Sequence, residues 1–111
     1  MIDNFAILVL THFVSDWFLQ PREWAVNKTK KFKPRFYHCI QYTILFLPVL
    51  YFLQINLLWL IWIFLTHLFI DSYKFVNWWN KKVKMEKETP REILTVQDQI
   101  LHILVLIPLV I

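Results

Sequence analysis

The sequence predicts an all-α integral membrane four-helix bundle with both termini outside and both basic loops cytoplasmic. Three observations predict it. Apolar residues make up 58% of the chain and mean hydropathy is +0.45, well outside the usual soluble range. Four apolar segments, at about 3-20, 36-55, 57-76 and 90-111, each approach the ~20 residues that a helix needs to cross about 30 Å of hydrocarbon. The charge is segregated between them: "PREWAVNKTKKFKPR" carries six Lys or Arg against one Glu, and "NWWNKKVKMEKETPRE" is also basic. Positively charged loops stay on the cytoplasmic side, and the "MID" start, free of positive charge, agrees. The 111 residues read as a single four-span domain without a cleaved signal peptide.

Each element has a local reason. Pro21 ends or bends the first helix, because proline has no N–H for the helical ladder. Pro34 introduces the second helix, and Pro48 is a candidate for a kink inside it. Only Gln54 to Asn56 separates the second apolar run from the third. "TPRE", Thr89 to Glu92, has the form of a capping box, with Thr89 at the N-cap and Pro90 opening the fourth helix. Trp17, Trp24, Trp78 and Trp79 belong near the cytoplasmic interface, and Tyr51, Trp59 and Trp62 near the outer one. The chain has no glycine, which excludes Walker and dinucleotide-binding loops. The net charge of +4 follows from topology, so no nucleic-acid partner is expected. Cys39 stands alone and cannot form an internal disulfide.

The chemistry concentrates in three His–Asp pairs spaced i,i+4: His12 with Asp16, His67 with Asp71, and Asp98 with His102. That spacing puts both members on one helix face. With alternating topology, all three helices place His deeper and Asp one turn nearer the cytoplasm. The fourth histidine, His38, starts the second helix near the shallower tier. A charge at mid-bilayer costs about 2.5–3.5 kcal/mol on insertion scales, so these residues line a shared interior. Imidazole and carboxylate together are a ligand set for Zn, Mn, Fe or Co. His12, Asp16, His67, Asp71, Asp98 and His102, with His38 as a seventh candidate, suffice for one or two divalent ions sharing a bridging carboxylate. Two metals suit in-line displacement at phosphorus by an activated water. A metal-free His–Asp network and a proton pathway are the competing readings. Gln20 and Gln99 are candidates to orient ligands. Lys74, one turn beyond Asp71, is a candidate for a substrate phosphate. Lys28 and its basic neighbours read as topology signals that contact anionic headgroups.

"HFVSDWFLQPREWAVNK", then His38, then "THLFIDSYK" and "QDQILH" resemble the small bacterial and phage membrane proteins of domain-of-unknown-function family 3307. The resemblance spans nearly the whole chain in order. It implies His12, Asp16, Gln20, Asn27, Lys28, His38, His67, Asp71, Lys74, Asp98, Gln99 and His102 as the family's polar positions, and a multi-pass place in the bacterial inner (cytoplasmic) membrane. The expected function is an intramembrane metal-dependent hydrolase acting on a phosphate-bearing lipid or lipid-linked substrate at the cytoplasmic leaflet. The alternative is a non-enzymatic membrane protein: a phage exclusion, holin-like or partner-binding factor. The expected partner is membrane lipid. A bundle this small could also use a second copy, as a homo-oligomer, to close its polar interior.

Overall fold

The computed structural model describes residues 3–111, so the first two residues of the "MID" start lie outside the described residues. Those described are helical throughout, without a strand. Helix α1, Asn4–Phe13, continues as a π-helical turn over Val14–Phe18. The short α2, Arg22–Asn27, leads to α3, Phe32–Phe52. Helix α4, Trp59–Ile70, is followed by α5, Lys74–Trp78, which runs on as a π turn over Trp79–Val83. Helix α6, Arg91–Leu104, ends in a 3-10 turn over Ile107–Val110. The four longer helices close a ring in which α1 packs on α3, α3 on α4, α4 on α6 and α6 on α1.

One face of each ring helix is buried at i,i+4 spacing, and its chemistry changes along the axis. Leu8, His12 and Asp16 follow one another on α1 and its π turn. Ile63, His67 and Asp71 do so on α4, while Asp98, His102 and Leu106 run the opposite way on α6. Helix α3 supplies His38, Tyr42, Phe46 and Leu50. The far half of the bundle is therefore an apolar core of Leu8, Tyr42, Phe46, Leu50, Ile63, Leu106 and Leu109. An imidazole layer follows, and then a carboxylate layer.

Helix ends depart from expectation at several points. Asp3 caps α1, its carboxylate accepting from the Ala6 N–H at 2.8 Å. Helix α3 starts at Phe32, earlier than the expected 36, with Pro34 in its first turn, where an N–H has no intrahelical partner to lose. It then passes Pro48 and continues to Phe52. At its end Ile55 N–H donates to Leu50 O and Gln54 N–H to Tyr51 O, a Schellman motif. In a chain without glycine, Gln54 takes the left-handed conformation there, at φ 58°. The capping box does not form: Pro90 is the N-cap, and the Thr89 hydroxyl turns to the Glu86 carboxylate at 3.3 Å.

The third apolar segment breaks. Tyr73 adopts φ 60°, and the chain bends by 46° between Trp59–Ile70 and Lys74–Val83. Among the described residues, Arg91–Val110 alone is long and apolar enough to cross a membrane, and the bent pair makes a second span if taken as one. Asn4–Phe18 is apolar but shorter. The all-helical class thus holds.

Candidate metal centre

The carboxylate layer gathers ligands from all four ring helices. Ligand atoms of Asp16, His38, His67 and Asp71 lie within 4.8 Å of one another, as do those of Asp16, Asp98 and His102. Asp16 belongs to both groups, and all six residues are buried. Local structure explains the convergence. The π turn over Val14–Phe18 buries both Ser15 and Asp16, and π turns recur at functional sites. Asp71 caps the C-terminal end of α4 beside the Tyr73 break. His38 sits near the start of α3, where it meets Asp16 from α1 with Nε2–H donating to Oδ1 at 2.8 Å.

Asp71 is the centre of the arrangement and is fully buried. Its Oδ2 lies 2.9 Å from His67 Nε2 and 3.5 Å from His38 Nε2, and its Oδ1 lies 3.2 Å from His102 Nε2. Yet among the described residues neither oxygen accepts a hydrogen bond, and His67 Nε2 and His102 Nε2 donate none. The distances suit hydrogen bonds but the directions do not. His102 Nδ1–H donates to the Asp98 carbonyl at 2.7 Å. A buried carboxylate among three imidazoles is balanced by protons on the ring nitrogens or by a cation between them. Ligands about 2.0–2.1 Å from a tetrahedral ion stand ~3.3 Å apart, which these separations match. A metal-bound histidine also typically donates its other N–H to a carbonyl or carboxylate, as His102 does.

Lys28 enters the same layer. It is buried, with Nζ 3.5 Å from Asp16 Oδ1 and 3.6 Å from Asp71 Oδ1. Burial alone would lower its pKa, but Asp71, Asp16 and Asp98 outweigh that and hold the ammonium well above the ordinary lysine range. Three buried carboxylates face this one ammonium, and protonated imidazoles or a divalent ion would balance the remaining charge.

Gln99 ties the layers together. Its Nε2 donates to Asp16 Oδ2 at 2.9 Å and to Asp98 Oδ2 at 3.0 Å. Its Oε1 accepts from His12 Nε2 at 2.7 Å and from Trp17 Nε1 at 3.0 Å. These four bonds fix which end of the amide is which.

The expected site residues separate accordingly. Asp16, His38, His67, Asp71, Asp98 and His102 come together. His12 does not join either ligand group: its Nε2 is committed to Gln99 and its Nδ1 accepts from the Tyr42 hydroxyl at 2.8 Å. Gln20 donates to the Asp16 backbone carbonyl at 2.9 Å, reaching the site through the main chain. Asn27 bonds the Glu23 carbonyl of its own short helix and does not reach the site. Lys74 is exposed, because the Tyr73 break turns α5 away before a further helical turn could carry it beside Asp71. Trp17, expected only as an interface anchor, also supports Gln99. Tyr42 was not among the expected site residues. Its place one turn after His38, on the face that becomes buried, is the signal that could have found it.

Among known proteins, no curated protein and no solved structure matches the chain. The model of the family described as "Protein of unknown function (DUF3307)" matches residues 4–111. With nearly its whole length matched, the chain belongs to that family.

Proposed function

We propose that this protein is an intramembrane metal-dependent hydrolase of a phosphate-bearing lipid or lipid-linked substrate, reached from the cytoplasmic leaflet of the bacterial inner membrane. The observation that carries the metal is Asp71: a fully buried carboxylate ringed by three imidazole nitrogens at 2.9–3.5 Å. Asp16, His38, His67 and Asp71 would hold one divalent ion, with Asp98 and His102 beside them. An ion so held polarises a phosphoryl oxygen and makes water more acidic. Asp98 Oδ1, buried and without a partner among the described residues, would serve as a proton acceptor at this end of the site.

The distribution of polarity supports the membrane. Ten buried hydrophobic residues are matched by ten buried polar or charged ones, while Leu10, Phe18, Ile44, Phe52, Ile61, Leu65 and many other large apolar side chains face outward. Water favours the reverse arrangement, and a bilayer favours this one. The site lies at the end of the bundle from which Lys28 and the basic segment emerge, the end that the charge rule assigns to the cytoplasm and to lipid phosphates.

Phosphate release from phosphatidic acid in detergent tests the activity. Protein loaded with Mn²⁺ or Zn²⁺ is expected to release phosphate, and the Asp16→Asn, Asp71→Asn, Asp98→Asn triple variant is expected to release at least about 100-fold less. Removing such interactions typically costs several kcal/mol of transition-state stabilisation. Folded, metal-loaded protein that leaves phosphatidic acid and a panel of lipid-linked phosphates intact would contradict the hydrolase. Lys28 favours a second reading, a self-neutralised structural network in a non-enzymatic membrane protein, because its ammonium already contacts two of the three carboxylates. In that reading a chelator leaves stability unchanged.

A further inference from the structure

Lys28 is placed in a way that ion pairing alone does not explain. Helix α2 buries none of its residues, and the buried Lys28 follows it directly. The segment is jointed at both ends. Pro21 is extended at ψ 144° before α2, and Lys31 is extended at ψ 139° before α3. Between these joints α2 packs on α3, with Trp24 against Tyr37 at 6.2 Å between ring centroids, and the Lys28 ammonium together with Arg35 Nη1, which donates to the Lys28 carbonyl at 3.2 Å, ties down the C-terminal end of the strap.

The ammonium reaches two carboxylates from different helices, Asp16 on the π turn of α1 and Asp71 at the end of α4, without closing on either. Its contacts of 3.5 and 3.6 Å are long beside the ~2.7–2.9 Å of a tight charge-assisted hydrogen bond. Asp16 also belongs to the group whose ligand atoms, with those of Asp98 and His102, lie within 4.8 Å of one another, and Asp98 Oδ1 and His102 Nε2 there are buried and unpartnered. These atoms are arranged for a cation that binds more closely than an ammonium on a four-carbon stem.

We propose that Lys28 is a built-in occupant of a second divalent-cation position, the one bounded by Asp16, Asp98 and His102 with Asp71 at its rim. While the α2 strap holds Lys28 inside, the centre takes one ion. When the strap swings out, a second ion enters and Asp16 bridges the two. This rests on the metal reading of the first group, and it makes the strap the element that sets how many ions the centre holds. The exposed Arg22, Lys30, Lys31 and Lys33 on and beside the strap give an anionic membrane surface a handle with which to draw it outward.

The test is the ion count of Lys28→Met against wild type and Lys28→Arg. Full-length protein in detergent is loaded with Mn²⁺, desalted and measured by elemental mass spectrometry. Wild type and Lys28→Arg are expected to hold one ion per chain and Lys28→Met two, with Mn²⁺ raising the thermal midpoint of Lys28→Met more than that of wild type. Equal counts in Lys28→Met and wild type, whether zero, one or two, would overturn the proposal. A count of zero in wild type and one in Lys28→Met would uphold Lys28 as a cation in place of a metal while removing the metal from the wild-type protein. Folding of Lys28→Met only in the presence of Mn²⁺ would also support the proposal. Failure of both Lys28→Met and Lys28→Gln to fold with Mn²⁺ present would overturn it, because the ion would then be unable to replace the ammonium.

Discussion

Asp71→Asn is expected to weaken divalent-ion binding by at least about 100-fold, measured by competition with a chromophoric chelator. Asp71 is the residue on which His67, His102, His38 and Lys28 all converge, and it is fully buried. Asparagine keeps the shape and removes the charge, leaving Lys28 with only Asp16 within 4.0 Å. Breaking a buried charge pair from one side costs about 3–5 kcal/mol, and each 1.4 kcal/mol is tenfold in affinity. Part of that cost falls on the fold, so the thermal midpoint should drop as well. An Asp71→Asn protein that binds ions as wild type does would move the ion elsewhere and remove Asp71 from the centre.

Ile61→Lys combined with Leu65→Lys is expected to abolish stable membrane insertion, read by fractionation and alkaline extraction. Both residues face outward from α4, at 59% and 57% exposure, on the side opposite Ile63 and His67. In water, such surface changes would be neutral or would improve solubility. In a bilayer each lysine near the middle of a helix costs about 2.5–3.5 kcal/mol on insertion scales. A double variant that accumulates folded in buffer without detergent would contradict the membrane placement.

Much of the site was legible because its regularity lies within single helices. The three His–Asp pairs advertise their faces by i,i+4 spacing, and the structure buries all six residues. What spacing cannot show is which partner claims which ring nitrogen. His12 has the same spacing as His67 but opens onto Tyr42 and Gln99, so its nitrogens are spent before an ion could use them. His38 had no partner on its own helix, and its contact with Asp16 joins residues 22 positions apart. Lys28 was hidden by its neighbourhood, since in a run of lysines one inward-pointing member has no distinguishing composition. The break before Lys74 was hidden for a related reason: the left-handed Tyr73 that turns α5 away is not a glycine, so nothing marked it. The Thr89 capping box failed on a local competition, with Glu86 taking the hydroxyl. The helical class was secure from the apolar runs, but hydropathy did not reveal that the third run would break just beyond its buried aspartate.

The proposed function stands on a divalent ion held by the buried His–Asp layer. Elemental mass spectrometry on the full chain, purified in mild detergent without chelator, tests it most directly, with the triple Asp→Asn variant measured alongside. About one transition ion per chain in wild type and none in the variant is the expected result. No metal in either protein, at normal folded yield, would contradict it and leave Lys28 and the histidines to neutralise the layer on their own.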